Sequence, residues 1–348
     1  MLSLKSVVVL TCACSILMTG CEPETGSPDH KILPTTYPES SISVNRLENN
    51  PIIRPDMLRG KLGASISGPS LIRVPDWVKN PLGKYYLYFA HHHGSFIRMA
   101  YANELDGPWS VYPEGVLGME NPKCRSLEEI GLEQPMHIAS PDVHVDENLQ
   151  KIRMYFHCNT LNPEHELTEK KDLQNSFLSV SSDGLDFQAQ DEIIARSHLR
   201  VFQKGELFFG ITGSRHLYHS ESATSRFTQG KRILPRNARH VATHVRESSL
   251  FVFYSLKGDH PEQIVVSTVR MTDDWRSWSA SSPVSVIKPE EKWEGVDVPL
   301  KVSKGGMAKN RYQELRDPAI FVEDDKTYLL YSVAGESGIA IAELAWNE

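Results

Sequence analysis

The stretch Gly68-Pro69-Ser70-Leu71-Ile72, followed after a variable turn by Lys84-Tyr85-Tyr86-Leu87-Tyr88-Phe89-Ala90, decides how the chain is read. It is a short apolar strand opened by a small residue, then an aromatic-rich strand. The same phrase returns as Ser140-Pro141-Asp142-Val143 with Met154-Tyr155-Phe156, and as Leu199-Arg200-Val201-Phe202 with Leu207-Phe208-Phe209. It returns again as Thr243-His244-Val245 with Leu250-Phe251-Val252-Phe253-Tyr254, and as Arg316-Asp317-Pro318-Ala319-Ile320 with Tyr328-Leu329-Leu330-Tyr331. Self-similarity at a period of about 40 to 70 residues, carried by strands, is the mark of radial repetition. Five copies predict an all-β, five-bladed β-propeller, in which each small sheet has two apolar faces that only its neighbours can cover. Runs such as Ile264-Val265-Val266-Ser267-Thr268-Val269 and Ile339-Ala340-Ile341-Ala342-Glu343-Leu344 supply further strands, and a helical period is almost absent.

Residues 1–20 carry one lysine and an apolar run over residues 6–18, too short to span a bilayer comfortably. They end in Met18-Thr19-Gly20-Cys21, which resembles the lipobox of bacterial lipoproteins. That resemblance implies a signal peptide, lipidation of Cys21, and a protein of the cell envelope held to the outer membrane by its lipid alone. Residues 21–45 are rich in Pro, Ser, Thr and Glu and read as a flexible tether, with the propeller over residues 46–348. A formal charge of -7 argues against nucleic acid as a partner, and a monomer is expected. With the leader gone, Cys124 and Cys158 remain in the domain, either bridged or as two buried thiols.

In a propeller blade the first strand lies against the axis and the second returns antiparallel to it. The start of the one and the end of the other therefore share a face. That face gathers His91, His92, His93, Asp142, Arg200, Arg215, His244, Arg316 and Asp317. Buried ionisable groups are costly unless paired or functional, so a rim crowded with them is the candidate site. Asp142 and Asp317 each flank a proline at the mouth of an apolar strand; each would either meet a ligand or cap amides of a neighbouring blade.

Asn50-Pro51-Ile52-Ile53, the Lys84-to-Ala90 phrase, Leu105-Asp106-Gly107-Pro108-Trp109 and Arg316-Asp317-Pro318-Ala319-Ile320 together resemble the five-bladed propeller glycoside hydrolases, family 43 and its furanosidase relatives. The resemblance implies hydrolysis of a poly- or oligosaccharide in the central funnel by an acid and a base carboxylate. In that family the first blade opens with Asp-Pro-Ser, whose aspartate is the base; here the phrase is Gly68-Pro69-Ser70. Asp142 fits the family's second carboxylate, and His244 its axial histidine. Arg316 is expected to hold Asp317, while Glu294, beside Trp293, is a substitute acid whose pKa the indole would raise. Arg200, Arg215, Arg316 and His91, His92 and His93 would bind hydroxyls or an acidic substituent.

No cofactor and no transition metal are expected, since consecutive strand residues point to opposite faces and a three-histidine centre from His91-His92-His93 is awkward. An axial calcium near His244 and Asp142 is compatible with the resemblance alone. Gly305-Gly306 lacks a phosphate-loop context, and Gly210-Ile211-Thr212-Gly213-Ser214 lacks the order of a nucleophile elbow. Residues 162–171 read as a loop or short helix over the rim. The competing functions are a glycan-binding envelope protein that lost its base at Gly68, and a scaffold with a dry, filled axis.

Overall fold

A computed structural model describes residues 33–119, 124, 137–160 and 174–347. The lipobox with Cys21 and the rim segment 162–171 lie outside the described residues. Five antiparallel sheets form the five blades. Blade one runs outward through Ser67–Arg73, Tyr85–Ala90, Ile97–Ala102 and Ser110–Leu117. Blade two has Ile138–Asp146 innermost, then Lys151–Asn159 and Gln174–Ser181, with the short strands Gln188–Ala189 and Ala195–Arg196 at its edge. Blade three comprises Arg200–Lys204, Leu207–Ile211, His216–Ser220 and Thr228–Arg232. Blade four comprises Ala238–Arg246, Ser249–Leu256, Ile264–Arg270 and Val284–Ile287.

Blade five is made from both ends of the described chain. Its inner strands are Arg316–Glu323, Lys326–Ser332 and Ile339–Trp346, and its outermost strand is Ile42–Arg46, paired antiparallel so that Ile42 faces Trp346 and Arg46 faces Ala342. Residues 42–45, read as part of a flexible tether, thus belong to the fold. The polar residues that made this stretch look unstructured are spaced so that Ile42 and Val44 turn inward against blades four and five. Just upstream, the Tyr37 hydroxyl donates to Asp259 at 2.8 Å, which fastens that approach to blade four.

Alternation within each strand explains why the ring holds. Tyr85, Leu87 and Phe89 face blade five while Tyr86 and Tyr88, one residue out of phase, face blade two. The same division gives five apolar clusters, one at each junction between adjacent blades. Each fully buried large side chain in them contributes about 1.5 to 3 kcal/mol. Cys124 and Cys158 form a disulfide that ties the segment between blades one and two to the second strand of blade two.

The innermost strands share an irregularity that places the site. Their pairing register breaks between Ser67 and Ser70, Ala139 and Asp142, Arg239 and Ala242, and Arg316 and Ala319. At each break one residue takes a positive φ: Gly68 (63°), Ser140 (53°), His240 (38°) and Asp317 (49°). In blade three the corresponding residue, His198 (φ 59°), stands just before the strand begins. Left-handed backbone at a non-glycine residue is uncommon, and bulges of this kind re-aim a side chain. Here they re-aim one residue per blade towards the axis.

Candidate active site

The four bulge residues and His198 line one axial cavity of about 530 Å³, together with His92, His137, Arg196, Arg215, His216, Arg239 and Lys257 among others. Gly68 contributes no side chain and Ser140 only a hydroxymethyl, so on the side of blades one and two the larger described side chains of the lining include His92, His137 and Gln174. On the side of blades three to five it meets His198, His240 and Asp317.

Asp317 is the carboxylate of this lining among the described residues. One of its oxygens is in direct contact with Nδ1 of His240, and the other accepts the Ser332 hydroxyl at 3.3 Å. A second carboxylate–imidazole pair supports the same cavity. His92 lines it, and its Nδ1 lies 3.3 Å from Glu336, which also accepts the Ser65 hydroxyl at 2.7 Å. Burial pushes the Glu336 carboxyl up, but His92, Ser65 and Arg316 outweigh it and hold the pKa down at about 2.

A row of imidazoles joins the two pairs. Ring centroids are 5.9 Å apart from His92 to His137, 4.0 Å from His157 to His198 and 4.8 Å from His198 to His240, while the Nε2 atoms of His137 and His157 approach to 2.7 Å. In that closest contact one ring donates and the other accepts. Burial, reinforced by neighbouring imidazoles and arginines, lowers the pKa of His137 to about 4 and that of His157 and His198 well below the ordinary value. These rings are neutral at physiological pH. Among the described residues no three His, Cys, Asp or Glu side chains are grouped as ligands of a metal ion.

Behind Asp317 lies a carboxylate–arginine network that the sequence reading assigned otherwise. Arg316, 2% exposed, does not hold Asp317; it contacts Glu314, reaches Glu262 at 3.2 Å and lies 3.5 Å from Glu336. Burial together with Glu262 raises the Glu314 pKa to about 7 against the opposing pull of Arg316. Three acidic groups on one guanidinium leave Arg316 no capacity for a ligand.

The remaining sequence candidates are split. His92, Arg215 and Asp317 line the cavity, whereas His91, His93, Arg200, His244, Glu294 and Asp142 do not. Asp142 accepts the Val201 amide of blade three at 2.8 Å and lies 2.9 Å from His144. Burial raises its pKa, but His144, Arg200 and that amide bring it below the ordinary value. Ser70 makes the equivalent bond in blade one, accepting the Val143 amide at 2.9 Å, so both positions stitch one blade to the next. Arg200 donates from Nε to the Val241 carbonyl and from one terminal nitrogen to the carbonyls of Ser140 and Pro141. His244 packs against Trp346, with ring centroids 5.3 Å apart. Glu294 is completely buried between Arg46 at 2.8 Å and the Tyr331 hydroxyl at 3.1 Å. Asp142 and His244, expected beside an axial calcium, are thus both away from the axial cavity.

Ser140, His198 and His240 were missed, although a signal existed for the first. In Gly68-Pro69, Ser140-Pro141 and Asp317-Pro318 the axial residue is the one before the proline, and Asp142 follows it. No such mark identifies His198 or His240.

No family model matches the chain. An uncharacterized protein of Acanthamoeba polyphaga mimivirus, R118, is 29% identical over 304 residues, covering 80% of this chain and 83% of that protein. Among solved structures, the α-L-arabinofuranosidase of Lactobacillus brevis superposes with a TM-score of 0.54 at 14% identity, covering 86% of this chain and 93% of the other. A GH43 β-xylosidase/α-arabinofuranosidase from a compost microbial metagenome gives 0.53 at 12% identity, covering 87% and 94%. The chain therefore shares the five-bladed propeller fold of family 43 glycoside hydrolases.

Proposed function

We propose that this protein hydrolyses a glycosidic bond of a poly- or oligosaccharide bound in the axial cavity. The observation that carries the reading is that two carboxylate–imidazole pairs, Asp317 with His240 and Glu336 with His92, serve one cavity. Asp317, oriented by His240 and Ser332, acts as the base that takes a proton from the attacking water. His92, backed by Glu336, gives a proton to the leaving glycosidic oxygen. Water attack breaks the C–O bond, the leaving hydroxyl keeps the donated proton, and the pairs exchange protons with solvent to reset. The arabinose- and xylose-releasing activities named for the structural neighbours support a furanoside or pentopyranoside substrate. Met18-Thr19-Gly20-Cys21 supports export and lipid attachment at Cys21 in the cell envelope.

The test is to incubate wild type, Asp317→Asn and His92→Gln with a panel of plant and algal polysaccharides and aryl glycosides and to quantify released sugar. Release by wild type, and its loss in both variants, is the expected result. A second reading, glycan binding without cleavage, is favoured by one observation: the blade-one bulge holds Gly68, and Asp317 is the carboxylate of the described lining. Binding by calorimetry with no release from any glycan would select it.

A further inference from the structure

The cavity differs in charge from the molecule around it. The chain carries a formal charge of -7, yet its axial lining brings together Arg196, Arg215, Arg239 and Lys257 against the carboxylate of Asp317, itself taken by His240. A cleft lined by one sign of charge concentrates ligands of the other. Arg239 shares Glu262 with Arg316, at 3.6 Å, and donates to the Lys304 carbonyl. Arg215 has no such partner. Its Nε donates to the Ala238 carbonyl at 2.7 Å, which fixes the plane of the guanidinium, and no carboxylate lies within ion-pairing distance among the described residues. Among the described residues its two terminal nitrogens have no hydrogen-bond partner, and the residue lines the cavity.

The backbone holds Arg215 in this pose. The turn before the third-blade strand His216–Ser220 closes with the Arg215 amide donating to the Thr212 carbonyl at 2.8 Å, and Arg215 takes a φ of 67°. An arginine in the left-handed region is strained, and such strain concentrates at binding and catalytic sites. Burial lowers the Arg215 pKa, and the cations of Arg232 and Arg239 lower it further. A partly buried cation, beside other cations and lacking an acidic partner, is a costly arrangement that an incoming anion relieves.

We propose that the wall of the cavity between blades three and four is a subsite for the oxyanion of a charged saccharide, a carboxylate or a sulfate, with Arg215 as its principal ligand and Arg239 beside it. The planar guanidinium matches either group through paired N–H donors. The inference rests on the reading that the cavity takes a glycan, and it narrows that reading to acidic glycans. The bond that breaks is unchanged; the subsite fixes which sugar sits beside Asp317.

The experiment uses three sets of oligosaccharides of matched length: neutral xylo-oligosaccharides, oligogalacturonides bearing carboxylates, and sulfated galactan oligosaccharides. Binding to the full chain is measured by calorimetry at low and physiological salt, for wild type, Arg215→Gln and Arg215→Lys, with thermal melts to confirm that each variant is folded. One charged set should bind wild type at least about tenfold more tightly than the neutral set, and Arg215→Gln should remove between about tenfold and a hundredfold of that affinity. Arg215→Lys, keeping the charge without the fork, should retain part of it. The gap should narrow with salt, and whichever charged set responds identifies the oxyanion. Equal binding of neutral and charged sets, unmoved by Arg215→Gln, overturns the subsite and leaves the glycan reading intact. Failure of all three sets to bind overturns both.

Discussion

Blade two and blade five each carry an aspartate next to a proline on the innermost strand, and the two carboxylates do opposite things. In Asp317-Pro318 the acid precedes the proline, sits on the bulge and opens to the axial cavity; in Pro141-Asp142 it follows the proline, sits beyond the bulge and is spent on the Val201 amide and His144. A difference of two positions separates a group that can meet a ligand from one that joins blades. The bulge, and not the residue type, decides which.

Substituting the two positions in parallel should separate the roles. Asp317→Asn is expected to lower hydrolysis by about a thousandfold, within the range that a positioned acid–base group contributes, with little change in urea midpoint. Full activity in that variant would remove Asp317 from the chemistry and with it the contrast. Glu294 extends the comparison to a third carboxylate, one enclosed between blades. Glu294→Gln should cost about 3 kcal/mol in unfolding free energy by removing the buried charge partner of Arg46 and leaving it only the exposed Glu290, while activity per folded molecule stays at the wild-type level. Asp142→Asn should cost less, about 1 to 2 kcal/mol, since one amide bond and one charge contact are weakened. An activity loss in Asp142→Asn as deep as in Asp317→Asn, with stability intact, would show that the bulge does not partition the two.

Acid sharpens the contrast further. The imidazoles of His137, His157 and His198 have depressed pKa values, so between about pH 6.5 and 4 the unfolded chain binds protons that the folded chain refuses. The stability these rings contribute therefore falls as pH drops through that window, opposed in part by the Glu314 and Asp259 carboxyls, whose raised pKa values of about 7 and about 6 let the folded chain take up protons before the unfolded one. Asp142 and Glu336 are also depressed, and their stabilisation is complete above the ordinary carboxylate range and drains away below it, towards about pH 2 for Glu336. Urea midpoints at pH 7, 5 and 3 should decline in both steps. In Asp142→Asn the second step should be shallower and the first unchanged.

The fold was legible because a blade is a local object. Its two central strands lie within about 30 residues of each other, and their apolar alternation survives turns of any length. The site was less legible because the axial position depends on where each strand breaks its register. Counting alternation from Val143 or Val245 leads to Asp142 and His244, whereas the extra residues of the bulge move the axial place back to Ser140 and His240. His157 enters from a second strand, and no spacing links it to His137 or His198. Arg46, the partner of Glu294, lies in the strand that closes blade five, adjoining what reads as a tether.

The closing strand has a consequence for how the molecule comes into being. Ser43 and Ala345 meet across blade five although 302 residues separate them, so the first strand synthesised is among the last to find its partner. Until Ile339–Trp346 emerges, Ile42–Arg46 is an unpaired edge and blades four and one each present an uncovered apolar face. A chain that crosses a membrane from its N-terminus would carry that open edge through the whole of its export. The sequence of such a protein is thus under pressure to remain unfolded and soluble until its final strand arrives, a demand set by topology and independent of any ligand.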